Sequence, residues 1–311
     1  MIDSNLSQNR REFLGWAGGL TVAGATGFAV ENPFERAGTG AHLQPGLAAY
    51  SFRNFFQYMR GKEREVADAK RMMGMPGFID YCAENNVGAE LTSYFFPPDV
   101  DSSDLLARCR HRAHVSGVPI AGTAVGNNFS YPKGAPERTE QMKYVKDWID
   151  YSQIMGAPHI RVFAGKHPKG VSEEQAEQNA IEALEEAAEY AGKKGIFLGI
   201  ENHDSIGTAD RLLRIVKAVK SPWVGVNLDT GNFRSDNPYD DMEASAPYAV
   251  NVQVKVSLKV AGKEQEADFP RMMKILRDAG YRGFVVLEYE AAGDPYKEVP
   301  KVLAEMREAI G

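Results

Sequence analysis

The sequence predicts a single-domain α/β protein, a (β/α)8 TIM barrel, on three observations. Short apolar, β-rich runs alternate eight times with longer amphipathic segments between Gly46 and Ile310. No Gly-x-Gly-x-x-Gly follows the first run, so an open dinucleotide-binding sheet lacks its main signature. The 311 residues, 43% of them hydrophobic, suit one barrel of roughly 250 residues preceded by a leader.

Residues 1–36 read as leader and spacer. Asn9-Arg10-Arg11-Glu12-Phe13-Leu14 precedes an uncharged run, Gly15 to Val30, and this order resembles a twin-arginine export signal. Five glycines between Gly15 and Gly27 make the run a poor helix, and it is too short for a stable membrane anchor. The resemblance implies export of an already folded protein to the periplasm.

Residues 46–311 read as the barrel. The predicted strands are 46–52, 88–93, 119–125, 159–164, 196–201, 223–229, 250–256 and 284–289. Each is a near-continuous apolar run, as expected of parallel strands covered on both faces. Residues 54–76 read as an insertion after the first strand, placed to cover the barrel mouth. Ser172–Lys194 is a helix by its Ser-Glu-Glu start and its stop before Gly195. In Thr208–Val219, Leu212, Ile215 and Val219 share a stripe opposite basic residues. Asp268–Ala279 and Tyr296–Ile310 complete the helices singled out. Cys82 and Cys109 fall in helical segments and read as buried thiols rather than as a disulfide or zinc knuckle.

Barrel chemistry sits at the carboxyl ends of the strands, and four consecutive late strands end in polar side chains. Strand five ends in Glu201, followed by Asn202 and His203; strand six ends in Asp229, with Asn232 three residues on. Strand seven alternates so that Asn251, Gln253 and Lys255 share a face, and strand eight places Glu288 and Glu290 on one face. A lone Glu at a strand end is ordinarily a cap or an exposed charge. Several carboxylates crowded at one rim repel one another unless a cation lies between them, so Glu201, Asp229, Gln253 and Glu288 are the expected metal ligands.

Gly199-Ile200-Glu201-Asn202-His203, Leu228-Asp229-Thr230-Gly231-Asn232, Val252-Gln253-Val254-Lys255 and Leu287-Glu288-Tyr289-Glu290, in this order, resemble the xylose isomerase-like TIM barrel superfamily, specifically its sugar phosphate isomerase/epimerase group. The resemblance runs from about Gly46 to Ile310. It implies one divalent metal, two glutamates exchanging a proton across an enediolate, and a small-molecule carbohydrate substrate. Relatives are often dimers or tetramers, so a homo-oligomer is allowed, though the sequence shows no seam. The chain departs at Gln253 and Asn232, where many relatives carry histidine. Gln253 can still ligate through its amide oxygen, and an all-oxygen set favours Mn2+ or Mg2+ over Zn2+.

The expected roles follow. Glu201 and Glu288 are the acid/base pair, with His203 assisting or hydrogen-bonding Glu201. Asn232, Lys255, Arg161, His167 and Glu90 are expected to contact substrate, a salt bridge with a rim carboxylate being the equal alternative for Lys255. An exported enzyme meets glycosides more readily than phosphorylated sugars, so a lyase or hydratase eliminating from a 3-keto-glycoside is the rival reading. A nucleic-acid enzyme is disfavoured by a net charge of −6 and only six histidines.

Overall fold

The computed structural model of the protein describes residues 34, 36, 40–101 and 103–311. The twin-arginine segment lies outside the described residues. Among the described residues, no helix is long and apolar enough to cross a membrane.

The strands of the barrel are β1 (His42–Ala48), β2 (Gly88–Thr92), β3 (Ile120–Ala124), β4 (His159–Val162), β5 (Phe197–Glu201), β6 (Val224–Asp229), β7 (Ala249–Val254) and β8 (Arg282–Leu287). They pair in sequence order, all parallel, and β8 pairs with β1 to close the barrel. The order follows from short right-handed crossovers, each carrying a helix back over the outside. Those helices are α1 (Met75–Glu84), α2 (Leu105–Val115), α3 (Pro136–Met155), α4 (Glu173–Lys194), α5 (Ala209–Ala218), α6 (Pro238–Ser245), α7 (Phe269–Asp278) and α8 (Pro295–Ile310).

Local chemistry sets the ends of these elements. Ser172 caps α4, its hydroxyl accepting from the Gln175 amide at 3.2 Å, and Gly195 ends it in the left-handed region at φ 73°. Strand β1 begins four residues earlier than the predicted Gly46 and gives way at Ala49 to a 3-10 turn. Pro45 is tolerated inside it because pairing with β2 starts only at Gly46, so at Pro45 the ladder has a single neighbour, β8. Strands β7 and β8 stop at Val254 and Leu287, which leaves Lys255 and Glu288 as the first residues beyond the sheet.

Two hairpins stand outside the barrel. One (Tyr58–Met59 with Lys62–Glu63) lies in the predicted insertion after β1; the other (Ser257–Val260 with Lys263–Glu266) follows β7. Apolar side chains from the strands and inner helix faces, among them Leu47, Leu91, Ile160, Leu184, Leu212 and Val252, form the layer between barrel and helices. The barrel interior differs, because buried Glu90, His159, Asn227, Asn251 and Gln253 make it polar. His159 fills the space left by two glycines: a Cβ on Gly199 would lie 2.2 Å from its Nε2, and one on Gly122 2.7 Å from Nδ1. Burial pushes the His159 pKa down to about 3, so the ring is neutral.

Candidate active site

The carboxyl ends of the late strands converge on a cavity of about 350 Å3, lined among others by Arg161, Glu201, His203, Asn232, Lys255 and Glu288. Asp229 is fully buried, 3.2 Å from the Lys255 ammonium that lines the cavity.

Each wall has a sequence reason. On β5, Glu201 accepts from the Asn232 amide at 2.7 Å and pairs with Arg161 Nε at 3.0 Å. Next to it, Asn202 clamps the Asp229 backbone: its side-chain oxygen accepts from the Asp229 N–H and its amide donates to the Asp229 carbonyl, both at 2.8 Å. The Asp-Thr-Gly run after β6 serves Lys255. Thr230 Oγ1 accepts from the Lys255 N–H at 3.0 Å, and a Cβ on Gly231 would lie 2.5 Å from Lys255 Cγ, so only glycine lets the lysine stem pass.

The Lys255 ammonium sits 3.2 Å from Asp229 Oδ2 and 2.5 Å from both Glu288 Oε2 and Glu290 Oε2. Burial opposes its charge, but these three carboxylates outweigh burial and hold its pKa well above the ordinary lysine value. The acids respond differently. Burial raises Glu201 and pushes Asp229 up to about 7. Burial acts upward on Glu288 too, yet contact with Lys255 leaves it below its usual value. Asp229 Oδ2 makes no hydrogen bond and lies 3.2 Å from the lysine ammonium.

Lys255, Arg161, Asn232, Glu201 and Glu288 thus stand together around one cavity, with Asp229 buried against the lysine. His203 is on the cavity wall, half exposed, its Nδ1 3.1 Å from Asp204 Oδ2 and its ring against Phe163; only its backbone N–H reaches the Glu201 residue, at the carbonyl. His167 is not among the cavity residues: it borders a small crevice with Glu173 and Arg211. Nor does Glu90 line the cavity. Fully buried, it accepts from Gln253 Nε2 at 2.8 Å and from Asn251 Nδ2 at 3.2 Å. The Gln253 amide oxygen accepts from Asn227 at 2.7 Å, so Gln253 joins a chain of side chains below the carboxylates. Burial pushes the Glu90 pKa up to about 8.

Tyr50 and Arg60 line the cavity and had not been singled out in the sequence. Tyr50 belongs to the 3-10 turn read as strand, and Arg60 sits at the tip of the first hairpin, over the Tyr94 ring at 4.4 Å. The predicted covering insertion was the available signal for Arg60.

Residues 80–307 match the family described as Xylose isomerase-like TIM barrel. The chain belongs to this family. Among its relatives, a Xenopus laevis protein named "Putative hydroxypyruvate isomerase" is 24% identical over 207 residues, covering 59% of this chain and 74% of that protein. The Homo sapiens protein of the same name is 26% identical, over 47% of this chain, and the match spans 58% of that relative's length. Solved structures share the fold. A D-psicose 3-epimerase from Clostridium cellulolyticum H10 superposes with TM-score 0.67 at 16% identity, over 86% of this chain and 99% of that one. A 3-keto-D-glucoside 4-epimerase from E. coli gives 0.65 at 15%, with the same coverages of 86% and 99%. At these identities the solved structures show a shared fold.

Proposed function

We propose that this barrel is an isomerase or epimerase that acts on a sugar or keto-sugar through an enediolate, with one divalent metal, Mn2+ or Mg2+. The observation that carries the reading is the convergence of buried Glu201, Asp229 and Glu288, from three strand ends, on one polar cavity with a cation drawn among them.

The donor chemistry fits a hard divalent ion. Asp229 Oδ2 is buried without a hydrogen bond, and the Lys255 ammonium marks a place where positive charge is required. Gln253 uses one lone pair of its amide oxygen on Asn227 and keeps a second. Among the described residues, no three His, Cys, Asp or Glu side chains are drawn together as a ready metal cage. Lys255 stands in that place, so the two cations are alternative occupants of the carboxylates. Glu201, Asp229, Glu288 and Gln253 would hold the metal, which supplies Lewis-acid polarisation of a substrate carbonyl.

The chain's own residues account for the proton movements. Arg161 and Asn232 fix the Glu201 carboxylate, leaving it no freedom to swing away. Glu201 and Glu288 reach the cavity from different strands, so one removes a carbon-bound proton and the other returns one to the enediolate. Lys255, Asn232 and Arg161 present N–H groups to the developing oxyanion and the hydroxyls. The relatives named hydroxypyruvate isomerase and the epimerase neighbours support this class of reaction.

Incubation with Mn2+ and a panel of ketoses and keto-glycosides in D2O tests the reading. Deuterium should enter at carbon beside the ketone, and Glu201→Gln and Glu288→Gln should each lower the exchange by about 100-fold or more, the scale of a lost general acid or base. Exchange undiminished in both variants sinks the proposal. Elimination from a 3-keto-glycoside is the second reading, for which a larger neighbouring cavity of about 860 Å3, sharing Asn232, Lys255 and Glu290, leaves room; an unsaturated product in place of an epimer would identify it.

A further inference from the structure

A second and larger cavity, about 860 Å3, opens beside the reaction cavity, and the two share Asn232, Lys255 and Glu290. One wall is the segment 231–236 after β6, the other is the hairpin that follows β7, and residues 290–292 close one end. The hairpin takes no part in the barrel sheet. It is nevertheless fixed in place: the Ala261 N–H at its tip donates to the Asp236 carbonyl at 2.8 Å, joining the two walls.

That bond is made from a strained position. Ala261 has φ 48° and Gly262 φ 74°, the left-handed pair that a two-residue hairpin turn demands. Alanine is a poor choice there, and strain of this kind persists where the surroundings impose it, often at a ligand clamp. The groove walls carry Arg234 and Lys259 against Asp236 and Glu264, so donors and acceptors are both present and the charges balance.

We propose that this groove is a binding subsite for the second ring of a glycoside, the neutral polyhydroxylated group attached to the ring that reacts at Glu201 and Glu288. The inference rests on the sugar reading above and names its substrate class. The reaction cavity, at about 350 Å3, is the size of a site for one small ligand, whereas the groove adds more than that volume again. A phosphate tail would meet Asp236 and Glu264 as well as the two cations. A polyol meets partners of both kinds, and the shared residues mark the passage between the rings.

Saturation-transfer NMR on the full chain tests this with cellobiose against methyl β-glucoside and maltose against methyl α-glucoside. None of these carries a ketone, and with the divalent metal withheld the reducing-end aldehyde of the disaccharides is not isomerised, so binding is read apart from turnover. One disaccharide should bind about tenfold tighter than its methyl glucoside, the size of one or two added hydrogen bonds, with saturation reaching both rings. Arg234→Ala, and separately Ala292→Trp at the exposed groove end, should bring that ratio towards one. Equal affinities in the wild type, or a ratio unmoved by both variants, overturns the groove inference and leaves the enzyme reading standing. Absence of binding by all four sugars likewise overturns the groove inference, the enzyme reading being decided by the deuterium exchange.

Discussion

Three carboxylates within 3.2 Å of one ammonium give Lys255 an unusual position: it compensates Asp229, Glu288 and Glu290 from inside the protein. A divalent metal at Asp229 and Glu288 must displace it, since two cations do not share ligands without repulsion. Lys255→Met should therefore tighten Mn2+ binding by about tenfold or more, measured by the loss of the free-ion EPR signal during titration. The same variant without metal should melt lower, because removing one partner of a buried charge cluster costs about 3 kcal/mol. Unchanged or weaker Mn2+ binding would show that the two cations do not compete. The sequence made Lys255 visible through alternation along β7. It did not reveal that the lysine reaches three acids, because those acids lie on two other strand ends. Gln253 shows the same limit. Its residue type suggested a ligand, but its amide is oriented by Asn227, 26 residues earlier, and by Glu90, 163 residues earlier.

Elements show which signals travel well along a chain. Strands five, six and eight were legible because each is mostly apolar and then ends in an acid, and strand seven because valine alternates with Asn251, Gln253 and Lys255, a pattern set by the barrel interior meeting the site. The hairpin after β7 was not foreseen, since Lys263–Glu266 is wholly exposed and lacks the apolar alternation that marks a half-buried strand. Its turn offers a direct check on backbone strain. Ala261→Gly relieves the left-handed alanine, partly offset by the greater freedom of glycine in the unfolded chain, so a net gain of about 0.5–1 kcal/mol is expected. Urea unfolding reads this as a higher midpoint at unchanged slope. A lower midpoint would mean that the turn is not under strain.

At the scale of the whole molecule, buried acids shape the response to pH. Glu90 rises from 4.5 to about 8 chiefly through burial. Between those values the folded state holds a proton that the unfolded state has released, so the protonated Glu90 stabilises the fold below pH 4.5 and that contribution is lost as pH rises through about 8. Glu90→Gln removes this dependence. Its stability relative to wild type should improve by a few kcal/mol, on the order of the linked shift, between pH 5 and pH 8. Denaturant unfolding at the two pH values measures it, and a difference that stays constant would show Glu90 titrating normally. The barrel itself was legible from the alternation of eight apolar runs with helices. The wiring of its polar interior was not, because each bond there links residues distant in sequence.

The seam between β1 and β8 has a consequence for how the protein comes to exist. Leu47 pairs with Leu287, so the ring is completed by residues some 240 positions apart, and the next residue after that seam is Glu288. A chain still being synthesised, or one that has lost its last strand, lacks both the closure and one of the two glutamates. Closure of the ring and completion of the proposed glutamate pair thus depend on the same long-range pairing, of the kind that forms slowly. If Glu288 acts as proposed, catalytic competence would double as a report that the last strand has docked.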